Sequence, residues 1–128
     1  MKKLVAGLAL AALALSAVGA QAQGIPLQQI QVTPSSYDFG DVPVYAVAQG
    51  TLTVKNVGGA PLVVTQVKTK LPFGDNATSF TVMPGKSKNI TILFAPQSPG
   101  AASGYCTINS NDPSNPLVII PLSGFGVE

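Results

Sequence analysis

Few residues in this chain of 128 have side chains suited to chemistry. Cys106 is the single cysteine, so no intramolecular disulfide can form. A lone thiol in an oxidising compartment can join another chain or act as a nucleophile. Reactivity, however, asks for exposure and a nearby positive group. The alternation of residues 102–110 puts Cys106 on the same side as Ile108, facing inward. The expectation is a buried thiol that behaves as a small apolar residue.

The other candidates are oxygen donors. Asp38 and Asp41 lie close in sequence, but Phe39-Gly40 between them suggests a strand end and a solvated turn. A Ca²⁺ site would need about six to eight oxygen ligands, and no dense Asp/Asn loop surrounds them. Asn109-Ser110-Asn111-Asp112 is the richest oxygen cluster, and turn chemistry accounts for it. The chain has no His and no Arg, which removes imidazole acid–base catalysis, His–metal ligation and bidentate anion clamps. The sequence therefore offers no catalytic, cofactor-binding or metal-ligating residue, and no cofactor is expected. Asn76-Ala77-Thr78 and Asn89-Ile90-Thr91 match the glycosylation sequon. In a bacterial protein, the origin the leader described next points to, such matches arise by chance.

The chain opens as a secretory leader. Lys2 and Lys3 precede an apolar stretch over residues 4–18, and Ala20-Gln21-Ala22 supplies the small-x-small cleavage pattern. Residues 1–22 are read as a signal peptide cut after Ala22. The apolar core is shorter than the about 20 residues a spanning helix needs, so stable membrane insertion after cleavage is not expected. The formal charge of +2 matches the two leader lysines. The remaining Lys55, Lys68, Lys70, Lys86 and Lys88 balance Asp38, Asp41, Asp75, Asp112 and Glu128. A neutral surface gives no footprint for nucleic acid.

Beyond residues 23–27, a short linker, residues 28–128 read as one all-β domain. Short β-branched runs are separated by Gly, Pro, Asn and Asp. Strands are expected over residues 28–33, 37–40, 47–56, 61–67, 79–83, 89–94, 102–110 and 117–125. Leu52, Val54, Leu62, Val64, Ile90, Ile92, Phe94, Ile108, Val118, Ile120 and Leu122 fall on inward positions. Residues 70–78 hold Pro, Gly, Asp and Asn and read as loop. Pro121 cannot donate a ladder hydrogen bond, which predicts an open edge beside it. This spacing fits an immunoglobulin-like, two-sheet antiparallel sandwich of seven to eight strands.

Several segments together carry a family likeness. They are Tyr37-Asp38-Phe39-Gly40-Asp41-Val42-Pro43, Leu52-Thr53-Val54-Lys55-Asn56 with Gly58-Gly59, Ile90-Thr91-Ile92-Leu93-Phe94-Ala95-Pro96, Ile108-Asn109-Ser110-Asn111-Asp112-Pro113, and Pro121-Leu122-Ser123-Gly124-Phe125-Gly126. In this order the chain resembles the ASH/MSP-like immunoglobulin-like superfamily, which includes abnormal-spindle and Hydin-type domains and bacterial choice-of-anchor D domains. The resemblance implies a sandwich used as a structural or protein-binding module, with no shared catalytic residue. Some bacterial members carry paired cysteines ahead of the Ile-x-Ile-x-Phe strand. This chain has Lys88 in that region and departs from the pattern.

The leading expectation is an exported, non-enzymatic structural or interaction module in the periplasm or outside a bacterial cell. Its partner would be another protein or a second copy, met through sheet edges or faces. A glycan- or small-ligand-binding module is the alternative, with Tyr37, Tyr45 and Tyr105 as its only candidate platforms. A periplasmic assembly chaperone is another.

Overall fold

The computed structural model describes residues 26–128. The expected leader and its cleavage point lie outside the described residues. Those residues form nine strands: β1 (Ile30–Thr33), β2 (Tyr37–Pro43), β3 (Ala48–Asn56), β4 (Leu62–Lys68), β5 (Phe73–Asp75), β6 (Phe80–Val82), β7 (Ser87–Phe94), β8 (Gly100–Ser110) and β9 (Leu117–Val127). They build two sheets. One has the order β2-β9-β8-β4-β6 and the other β1-β3-β7-β5.

Alternation explains how the sheets face each other. Along β7, Ile90, Ile92 and Phe94 are buried, as are Leu52 and Val54 on β3. The opposite sheet contributes Leu62, Val64, Cys106, Ile108, Ile120 and Leu122. Burying each large aliphatic side chain is worth about 1.5–3 kcal/mol, and this shared layer holds the sandwich together. The inward assignments made from spacing agree, apart from Val118, which is half-buried against the core.

Turn residues set the connections. Met83 C=O accepts the Lys86 N–H at 3.0 Å, with Pro84 and Gly85 between them and Gly85 at φ 78°. Pro at the second position and Gly with positive φ at the third are what a type II turn requires.

Two features depart from the expected pattern. Residues 70–78 are not all loop: Phe73–Asp75 form β5 and pair with Phe94, Leu93 and Ile92 of β7. A three-residue strand flanked by Pro72 and containing Gly74 leaves no period to detect. The segment beginning at Tyr37 continues to Pro43 and runs parallel to β9 in an otherwise antiparallel architecture. Gly40 at φ 72° sits in a bulge, because Asp38 pairs with Ser123 whereas Asp41 pairs with Phe125. The expected strand end at Phe39-Gly40 is this bulge.

The prediction made from Pro121 holds. β9 pairs with β8 from Leu117 to Gly126, but with β2 only from Leu122 onward. Pro121 lies just outside that second ladder, where its missing N–H costs nothing.

Candidate functional site

Cys106 is fully buried on β8. Burial pushes its thiol up to about 11, and the Asp75 carboxylate adds to the effect. A thiol held protonated and away from solvent is a packing residue. Asp38 and Asp41 remain exposed on β2, and Asp38 Oδ1 accepts the Gly40 N–H at 2.9 Å. Asp38 thus closes a local turn at the bulge. Among the described residues, no three His, Cys, Asp or Glu side chains gather as a metal-binding group.

The Asn109–Asp112 cluster is internal bracing. Asn111 Oδ1 accepts the Val63 N–H at 2.8 Å, and the Asn111 N–H donates to Val63 C=O at 3.0 Å. Asp112 is buried; its carboxylate accepts the N–H groups of Ile30, Ser114 and Asn115. The Ile30 bond ties the loop after β8 to the other sheet.

Asn56 has a comparable role that turn reasoning did not anticipate. Its Nδ2 donates to Ala60 and Val82 carbonyls at 2.7 and 2.9 Å. Its Oδ1 accepts the Gly58 and Gln29 N–H groups at 2.9 and 3.3 Å. Two donors and two acceptor bonds exhaust a buried amide. The sequon residues are also engaged: Asn76 Oδ1 accepts the Thr91 N–H, and Asn89 Oδ1 accepts the Thr53 hydroxyl.

Of the tyrosines expected as platforms, Tyr37 turns into the structure. Its ring lies 4.8 Å from Phe39, which contacts Phe73 and Phe94 in an aromatic cluster. It also covers Gly50, where a β-carbon would overlap the ring. Tyr45 and Tyr105 remain exposed.

With the polar clusters accounted for, the outer faces of the sheets become informative. The four-stranded sheet presents Gln49, Thr51, Thr53 and Lys55 along β3, a polar exterior. The five-stranded sheet differs. Leu117, Ile119, Tyr105 and Phe125 are 48, 52, 61 and 45% exposed. Residues 117–122 are apolar on both faces: Val118, Ile120 and Leu122 serve the core while Leu117, Ile119 and Pro121 face out. The signal was present in the sequence as an uninterrupted apolar run, which a half-solvated strand does not need. The register places Tyr105 opposite Pro121, Thr107 opposite Ile119 and Ala101 opposite Phe125. Tyr105 stands between two shallow hollows. One includes Asp38 and Pro121, and the other Lys68, Lys70 and Leu71. This face, a patch of exposed apolar side chains with a polar rim, is the candidate contact surface.

Comparisons with known proteins fit this architecture. The ASH/PapD-like domain 7 of human CEP192 superposes with a TM-score of 0.70 at 13% identity, covering 84% of this chain and 92% of that one. A Porphyromonas gingivalis W83 protein gives 0.69 at 22% identity, covering 88% of this chain and 54% of that one. The CsuC–CsuE chaperone–tip adhesion subunit complex of Acinetobacter baumannii gives 0.59 at 12% identity, covering 77% and 52%. The chain thus spans about half the length of the latter two. At these identities the likeness is one of fold. A search of curated protein sequences finds no match. Residues 28–124 match the HYDIN/CFA65/VesB-like, Ig-like domain, and the chain belongs to this family of ASH/MSP-type immunoglobulin-like domains.

Proposed function

We propose that this protein is exported by residues 1–22, cut after Ala22, and acts outside the cytoplasm as a non-enzymatic protein-interaction module. Residues 23–27 serve as a linker and residues 28–128 as the working domain. The observation that carries this reading is the outer face of the five-stranded sheet. Four large apolar side chains are exposed there, while β3 of the other sheet presents Gln49, Thr51, Thr53 and Lys55 outward. The chemistry-bearing residues support a non-catalytic role, since Cys106, Asn56 and Asp112 are consumed by packing and internal hydrogen bonds. The partner is a protein, in keeping with the chaperone–subunit complex among the structural neighbours. Export is tested by recovering the protein from the cell envelope and reading its N-terminus. Processing to Gln23 supports the reading, and an intact leader on cytoplasmic protein overturns it. Contact through the face is tested by crosslinking from Ile119.

A further inference from the structure

We infer that the outer face of the five-stranded sheet is self-complementary and pairs two copies of this chain about a two-fold axis. The inference rests on the reading of this face as a contact surface and names its occupant. In the order β2-β9-β8-β4, the centre of the face lies between β9 and β8. A two-fold axis there, parallel to the strands, exchanges these two strands between copies while keeping the level along them. Residues that are cross-strand neighbours within one copy then meet across the interface.

The register makes those meetings complementary in shape. Tyr105 of each copy falls on Pro121 of the other, Ile119 on Thr107, and Phe125 on Ala101. Each of these three contacts sets a large side chain against a smaller one, and Leu117 falls on Asn109 at the end of the patch. Tyr105 enters the hollow beside Pro121. An isologous patch must be self-complementary in this way.

Charge gives the second, independent observation. Asp38 and Asp41 are exposed on β2, at one side of the apolar stripe, whereas Lys68 and Lys70 are exposed at the β4 side. The same axis lays β2 of one copy over β4 of the other, so the acidic flank of each meets the basic flank of its partner. Asp38 is level with Ser103 through Ser123, and Lys70 and Leu71 line the hollow beside Ser103. Asp38 and Lys70 therefore agree along the strands as well as across them, while Asp41, level with Ala101, and Lys68, level with Thr107, lie further out on their flanks. Opposite charges at a rim favour correct pairing and register more than they add affinity. Four strands about 4.8 Å apart make a face at the small end of specific interfaces, so the dimer is weak and reversible.

The test is sedimentation velocity on the protein recovered after export, over rising concentration. A monomer–dimer equilibrium is expected. Tyr105→Asp should weaken it by about tenfold, the equivalent of about 1.4 kcal/mol. Asp38→Lys/Asp41→Lys and Lys68→Glu/Lys70→Glu should each weaken self-association, because like charges then face each other. An equimolar mixture of these two variants should associate as the natural protein does, since both flanks become attractive again. The lysine variant and Tyr105→Asp leave the β2 bulge untouched, so they remain informative if the Asp38 variant folds poorly. A monomer at every concentration overturns the inference, as does a dimer indifferent to these changes or a mixture no stronger than its components. If the chain is monomeric yet its Ile119 crosslinks to a different protein in cells, self-pairing fails while the interaction reading stands. If Ile119 crosslinks to nothing, that reading fails too.

Discussion

The carboxylate of Asp112 accepts the backbone N–H of Ile30 at 2.9 Å across 82 positions of sequence. This bond joins the loop after β8 to β1, the edge of the opposite sheet. Its partners Ser114 and Asn115 hold the same carboxylate from the other side. Asp112→Ala should destabilise the fold by about 2–4 kcal/mol, because the buried Ile30 N–H loses a charged acceptor and the loop loses its two further bonds. Asp112→Asn should cost less than Ala, since its carbonyl oxygen can still accept. Chemical denaturation of both variants measures the difference, and equal losses would contradict this role.

Asn56 should be as sensitive, with a different signature. Asn56→Asp keeps the size but removes the two donors that satisfy Ala60 and Val82 carbonyls. It also buries a charge. The expected loss is about 3 kcal/mol near neutral pH, easing as acidification neutralises the new carboxylate. Unfolding at two pH values checks it. A loss that does not ease in acid would contradict the account.

Gly124 allows the close approach of β9 to the aromatic cluster. A β-carbon there would overlap the Phe94 ring, whose neighbour Phe73 stacks at 5.1 Å. Gly124→Ala should destabilise by about 1–3 kcal/mol, the usual range for overpacking. Adding Phe94→Leu should recover part of the loss by making room, which a double-mutant cycle measures. Strict additivity would show that Phe94 is not the obstacle.

Cys106 makes a prediction about alkaline pH. Its folded-state value of about 11 lies above the ordinary 9.0 because burial disfavours the thiolate. Between these values the unfolded chain has released a proton that the folded chain retains. Stability should therefore be fully present below pH 9 and fall as pH rises towards 11. In Cys106→Ala this part of the decline should vanish, although the variant is less stable throughout from lost packing. Native-state alkylation should be slow at pH 8. Fast labelling would contradict the burial.

The parts of the structure visible in the sequence are those whose cause is local. Ile90, Ile92 and Phe94 alternate cleanly, and Pro84-Gly85 carries its turn type in two residues. Pro121 announced an open edge because a missing donor is a property of one residue. Long-range causes were not legible. The aromatic cluster joins Phe39, Phe73 and Phe94 from three strands, and β5 is too short to show a period. Asp112 read as a turn residue and Asn56 as a strand end, because Ile30 and Val82, the partners that bury them, lie far away in sequence. Tyr37 looked available as a platform until Gly50 gave its ring a seat. The contact face was half visible. Residues 117–122 are apolar at every position, but only the pairing with β8 shows that the outer half of that run forms a surface.

The central claim, that this domain works through the outer face of its five-stranded sheet, is tested most directly by site-specific photocrosslinking in intact cells. A photoreactive residue is placed at Ile119 in one strain and at Thr51, on the polar face, in another. A discrete protein adduct is predicted from Ile119, with none from Thr51. Adducts from Thr51 alone, or from neither position, would contradict the claim.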